Sequence, residues 1–142
     1  MATKHAVEQG LLHQIYPSLY GDAFDQADMD RRFIRLVETH QSLFSQASPS
    51  LFSTAGRTEL GGNHTDHNLG RVIAATINLD TIAAVTMRDD QKIVLTSEGY
   101  PAVEVDLSNL EVVESEKNTT EALVRGIAFA FHHLQEIGRA HV

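Results

Sequence analysis

Between Leu51 and Val105 the apolar residues come in short runs of β type, and on both sides of that span they return at helical spacing. A chain patterned this way cannot be all-helical or all-β. In Asp28–Gln46 the apolar residues include Phe33, Leu36, Val37, Leu43 and Phe44, which with His40 at the missing step trace one face of an α-helix. Leu11, Leu12, Ile15 and Tyr16 predict a shorter helix before it, ended by Pro17 and then by Gly21. The break at 45–50 contains Pro49. Five β-type runs follow: Leu51–Thr54, Val72–Ile77, Thr81–Met87, Lys92–Thr96 and Ala102–Val105, separated by turn chemistry such as Asp89-Asp90 and Glu98-Gly99-Tyr100-Pro101. A last helix is predicted from an N-cap at Asn118, with Glu121 completing a near capping box. Leu123, Ile127, Phe131 and Leu134 give that helix a core-facing stripe. Helices, then strands, then a helix is the order of an α+β fold, here with a mixed sheet of about five strands packed by helices on one face.

The bulk properties narrow the function class. A chain of 142 residues is of single-domain size, and its 42% apolar and 21% charged residues are those of a folded globule. A net charge of -8 argues against nucleic acid or an anionic membrane as the partner, since both select basic surfaces. Without cysteine there is no disulfide framework and no thiolate metal site. No apolar run approaches the ~18 residues that span a bilayer, and the amino terminus has no apolar signal region, so a cytoplasmic location is expected.

Chemistry is concentrated in Thr54–Arg71, which holds four of the nine glycines and joins two β-type runs. As a phosphate loop it fails. Gly56 and Gly61 have the Walker spacing, but Gly62 and Asn63 stand where that motif needs lysine and then a hydroxyl. As a metal site it is short of ligands: His64, Asp66 and His67 supply donors, but His132-His133 lies on a helix and His40 on an apolar face, where packing accounts for them. A third reading is a polyhydroxylated small molecule. Sugar hydroxyls donate and accept, which suits the carboxylate, amide and imidazole groups here, while Arg57 offers a permanent charge for an oxyanion or a transferring phosphoryl group. A long turn closed by an Arg57–Asp66 clamp is the purely structural alternative.

Ala55-Gly56-Arg57-Thr58-Glu59-Leu60-Gly61-Gly62-Asn63-His64-Thr65-Asp66-His67-Asn68 closely resembles the signature of galactokinases, members of the kinase superfamily that includes homoserine and mevalonate kinases. The commonest family form is Pro-Gly-Arg-Val-Asn-Leu-Ile-Gly-Glu-His-Thr-Asp-Tyr-Asn. The likeness extends over about 1–136, through Leu19-Tyr20-Gly21-Asp22, the run Val72–Leu79, Ser97–Pro101 and Ala122–Gly126. It implies the galactose-binding part of the amino-terminal domain of a two-domain sugar kinase, which phosphorylates galactose at its anomeric hydroxyl with ATP. Position by position, the resemblance makes Arg57 the catalytic arginine near the anomeric oxygen. It makes Asn63, His64 and Asp66 the groups that bind galactose or a close derivative. Asn63 replaces the usual Glu, His67 the usual Tyr and Ala55 the usual Pro.

The resemblance also implies Mg-ATP for the full-length enzyme. This chain is expected to bind neither nucleotide nor metal, because the family's Pro-x-x-x-Gly-Leu-Ser-Ser-Ser-Ala motif and its catalytic aspartate do not occur in it. A non-catalytic sugar-binding or regulatory relative is the alternative. Residues 137–142 end a stretch, Glu136–Val142, that resembles a translated sequencing adapter. They are expected to be a non-native tail on a truncated gene product.

Overall fold

The computed structural model describes residues 2–45, 48–62 and 69–139, the side chains of 135–139 aside. The chain divides into two compact units, residues 1–86 and 87–142, rather than the single body that its length predicts.

The first unit is three helices and a long hairpin. Helix α1 (Ala2–Glu8) buries Val7, and α2 (Tyr16–Tyr20) buries both of its tyrosines. Pro17 stands in the first turn of α2 and does not end a helix, because a missing N–H costs nothing where no partner carbonyl precedes it. Leu11 and Ile15, predicted as helix-face residues, are exposed in the turns before it. Helix α3 (Gln26–Leu43) starts where the Asp25 side chain accepts from the Asp28 amide at 2.9 Å, and it buries Phe33, Val37 and His40 as its spacing predicts. The core gathers Val7, Tyr16, Tyr20 and Phe33, with Phe24, Leu36, Leu51 and Ile82 packed against it. Tyr16 stacks on Phe33 at a ring separation of 6.0 Å and meets Phe24 edge-on at 5.8 Å.

Strands β1 (Ser50–Gly61) and β2 (Ile73–Val85) pair antiparallel, from Ser50↔Val85 to Gly61↔Ile73. Two of the predicted runs, Val72–Ile77 and Thr81–Met87, are thus one strand. Asn78-Leu79-Asp80 has turn-forming residues at both ends, yet the chain stays extended through it, and the inward Asp80 is held there by Tyr20, Ser53 and Arg32.

The second unit has a short antiparallel hairpin, β3 (Lys92–Leu95) with β4 (Val103–Asp106), in register Lys92↔Asp106 to Leu95↔Val103. A 3₁₀ turn at Glu114–Glu116 and helix α4 (Thr120–Arg139) complete it. Val103 and Val105 are buried. Asn118 is not the N-cap. It adopts φ +65, and the Thr119 hydroxyl one residue later takes the Ala122 amide at 3.4 Å.

The α+β class stands, with fewer strands than predicted. Among the described residues there are four, in two separate antiparallel pairs and no mixed sheet. Leu123, Ile127, Phe131 and Leu134 do lie along one side of α4, but they are between 50% and 64% exposed. Their stripe covers no core within the second unit.

Candidate functional site

Half of the predicted loop is strand. β1 continues from Leu51 through Gly61, so Ala55–Gly61 belongs to the ladder. This part of the hairpin is irregular in two places. Between Ala55↔Asp80 and Arg57↔Thr76 the register shifts, with Gly56 facing a longer stretch of β2. A Cβ on Gly56 would lie 2.9 Å from the Leu79 carbonyl oxygen, so the strands approach here as only glycine allows. Between Glu59↔Ala74 and Gly61↔Ile73 the extra residue is Leu60, on β1. Gly62 then turns out of the strand at φ +82, where a Cβ would sit 2.2 Å from the Arg71 carbonyl oxygen.

Arg57 is therefore carried on a strand. Its side chain is 72% exposed, and its Nη2 donates to Glu59 Oε1 at 3.3 Å, two residues along the same face. Asn63, His64 and Asp66, predicted to bind the sugar, lie outside the described residues, as does His67. What the fold does place are the two strand ends on either side of them, Gly61 and Ile73, held as ladder partners. Gly61 and Ile73 are thus the last ladder pair of the hairpin, and Arg57 lies on β1 four residues before Gly61.

Arg57 and Glu59, an exposed cation with a carboxylate against it, do not form a cradle for Mg-ATP. Among the described residues no group of three His, Asp or Glu side chains could hold a metal ion. His40 is buried, with Nε2 against the Thr86 hydroxyl at 3.2 Å, and burial lowers its pKa. His132 and His133 are exposed on α4. A cavity of about 460 Å³ lies in the second unit, lined by Leu110, Val112, Val113, Ala122, Gly126 and Phe129 among others, and none of the predicted site residues line it.

Two buried charges escaped the sequence reading. Asp80, with its side chain 4% exposed, accepts from Tyr20 Oη at 2.7 Å, from the Ser53 hydroxyl and from Arg32 Nη1. Arg32 Nη2 also donates to the Asp80 carbonyl oxygen at 3.0 Å. Burial pushes the Asp80 carboxyl up, but bonds from Ser53, Tyr20 and Arg32 outweigh it and hold the group below the usual carboxylate range. In the second unit Arg125 is bidentate on Glu116, at 2.8 and 2.7 Å, and also donates to the carbonyl oxygens of Asp106 and Asn109. The one available signal for Asp80 was its place in step with Ile82 and Ala84, on the inward side of an apolar run.

Residues 38–87 match the model of the galactokinase galactose-binding signature. The chain is similar to galactokinases of known name. It is 36% identical to that of Candida albicans over 89 residues, which are 60% of this chain and 17% of the relative. It is 35% identical to that of Streptococcus thermophilus over 107 residues, 73% of this chain and 26% of the relative. It is 30% identical to that of Streptococcus mutans over 115 residues, 79% of this chain and 28% of the relative. The chain thus spans between 17% and 28% of the length of these relatives. No solved structure matches it. No helix among the described residues is long and apolar enough to cross a membrane.

Proposed function

We propose that this chain, which belongs to the galactokinase family through its 38–87 signature, is the galactose-recognising region of an ATP-dependent kinase that phosphorylates the anomeric hydroxyl of galactose in the cytoplasm. Residues 1–136 form that region. The observation that carries the reading is the signature itself, laid on a hairpin whose paired strand ends bracket the sugar-binding segment.

In this reading Arg57 stands nearest the reacting oxygen. Strand pairing fixes its backbone, and its exposed side chain is ordered further when substrate binds. Glu59 draws that guanidinium along the strand toward the Gly61 end. A fixed cation there stabilises charge that develops on the anomeric oxygen and on the transferring phosphoryl group. Asp66 accepts from two adjacent ring hydroxyls, His64 bonds a third, and Asn63 contributes an amide that can donate as well as accept. ATP with its magnesium supplies the phosphoryl group in that reaction, and the exposed Arg57–Glu59 pair does not by itself form a cradle for it.

The test is a galactose titration of the 142-residue chain followed by amide NMR. Saturable shifts are expected at residues 57–72, with no response to added Mg-ATP. Asp66→Asn keeps the size of the side chain but turns one acceptor into a donor. At about 1.5–3 kcal/mol for each hydrogen bond to a charged group, it should weaken galactose binding by roughly 30-fold or more. The clamp alternative predicts the opposite pattern, a lower Tm with galactose affinity retained. Absence of sugar-dependent shifts in the unsubstituted chain would overturn the reading.

A further inference from the structure

Asp80 lies at the point where the long hairpin changes character. Below it, Ser50–Ala55 pairs with Asp80–Val85 in unbroken register, and Leu51 and Ile82 from this part pack on the helical core. Above it, the register breaks at Gly56, and Arg57–Gly61 pairs with Ile73–Thr76. Ala55↔Asp80 is the last pair before the break. At that junction β2 is gripped from three elements: Tyr20 closes α2, Arg32 comes from α3, and Ser53 comes from β1. Arg32 holds the main chain of Asp80 as well as its carboxylate, so the grip is on the strand itself.

We propose that Asp80 is a positioning residue that sets the direction of the hairpin tip, and through it the place of Arg57. The inference rests on the galactokinase reading for what the tip does, and on the geometry alone for how it is aimed. The lever is long. From Ala55 to Gly61 the strand extends about 20 Å at ~3.3 Å per residue, so a tilt of about 5° at the junction carries its end about 1.7 Å. Misplacement of a reacting group by about 1 Å is enough to cost ~100-fold in rate. A register break is a natural pivot, because a ladder interrupted there transmits less stiffness than a continuous one. The buried bonds of Asp80 replace that stiffness by tying the pivot to two helices.

The test uses Tyr20→Phe and Ser53→Ala, each removing one hydrogen bond and leaving the carboxylate paired with Arg32, beside Asp80→Asn. Amide hydrogen exchange of residues 57–61 and 73–76 is expected to speed up by about tenfold in the milder variants, with exchange in α3 changed less than about twofold. Ser53→Thr, which keeps the hydroxyl, should restore the original tip exchange. Equal acceleration across α3 and the tip would mean that the network only holds the fold, and would overturn the proposal. So would an unchanged tip in both Tyr20→Phe and Ser53→Ala. Galactose affinity measured on the same samples separates the two levels. If the unsubstituted chain binds no galactose, the sugar reading fails while the exchange pattern still decides whether Asp80 aims the tip.

Discussion

Among the described residues each unit contains one buried charged side chain, of opposite sign, and the two are set in different surroundings. In residues 1–86 the charge is Asp80, and it stands beside an aromatic core in which Tyr16, Tyr20 and Phe33 lose nearly all contact with water. In residues 87–142 the charge is Arg125, and the apolar residues buried with it are Val103 and Val105. The apolar stripe of Leu123, Ile127, Phe131 and Leu134 on α4 is at least half exposed. The first unit thus has apolar burial of the kind that dominates folding, with the carboxylate fixing which strand meets which helix. The second has a smaller buried apolar core, beside which one guanidinium satisfies a carboxylate and two carbonyl groups. Hydrogen bonds contribute less net stability than their number implies, since the unfolded chain makes them to water. The second unit should therefore be the softer one.

Two glycines at the same backbone angle test how far the hairpin tip of the first unit depends on close contact. Gly62 and Gly99 both have φ +82. A Cβ at Gly62 would lie 2.2 Å from the Arg71 carbonyl oxygen, whereas nothing lies within 4 Å of one at Gly99. Gly99→Ala in the second unit should cost about 1–2 kcal/mol, the penalty for an L-residue in the left-handed region. Gly62→Ala adds a backbone clash and should cost about 3 kcal/mol or more, read as local opening of residues 57–76 by hydrogen exchange. Equal costs at the two positions would show that the tip is loosely packed, and would remove one support for a fixed Arg57.

A smaller effect separates the units by pH. Burial lowers the pKa of His40, so the folded first unit prefers it neutral. Between its folded pKa and the unfolded value of 6.5 the unfolded chain binds more protons, so stability rises with pH in that window and falls as the pH drops below about 6.5. In the second unit the carboxyls of Asp106 and Glu116 are held below their usual values, chiefly by bonds from Ser108 and Arg125 respectively. Their stability is present above the ordinary carboxylate range and is lost only as the pH falls through it. As the pH falls below about 6.5 the first unit should lose Tm, and His40→Gln should flatten that slope. An equal loss in both units would assign the effect to other groups.

What was legible in the sequence is what repeats locally. The 3.6-residue spacing located α3 and α4, and the likeness read from residues 55–68 lies within the matched 38–87 signature. What was not legible depends on residues brought together from afar. Tyr20, Arg32 and Ser53 are 60, 48 and 27 residues from Asp80, and no local pattern joins them. The register break at Gly56 is a property of two strands, so β1 alone could not reveal it. Pro17 was misread because a proline is compatible with either end of a helix and only the carbonyls around it decide. Asn118 was misread because a turn residue and a cap residue draw on the same amino acids; here it is the turn and Thr119 is the cap.

The smallest expected effect on stability tests the softer unit most directly. Leu123, Ile127, Phe131 and Leu134 carry the spacing of a core face yet remain at least half exposed. If that exposure holds in solution, Leu123→Gln with Phe131→Gln removes no packing and should change stability by less than about 0.5 kcal/mol, as surface substitutions do. Val105→Ala, at a fully buried position of the same unit, should cost about 2 kcal/mol by comparison. The stripe should meanwhile be visible by other means. A contiguous apolar patch binds hydrophobic dyes and drives association, so the unsubstituted chain should bind dye strongly and self-associate, and the double variant should reduce both by about half or more. If the double variant instead lowers stability as much as Val105→Ala does, the stripe is covered in solution and the second unit has a larger core than its two buried valines. If stability and dye binding are both unchanged, the patch is neither core nor sticky surface, and the contrast between the units rests on Arg125 alone.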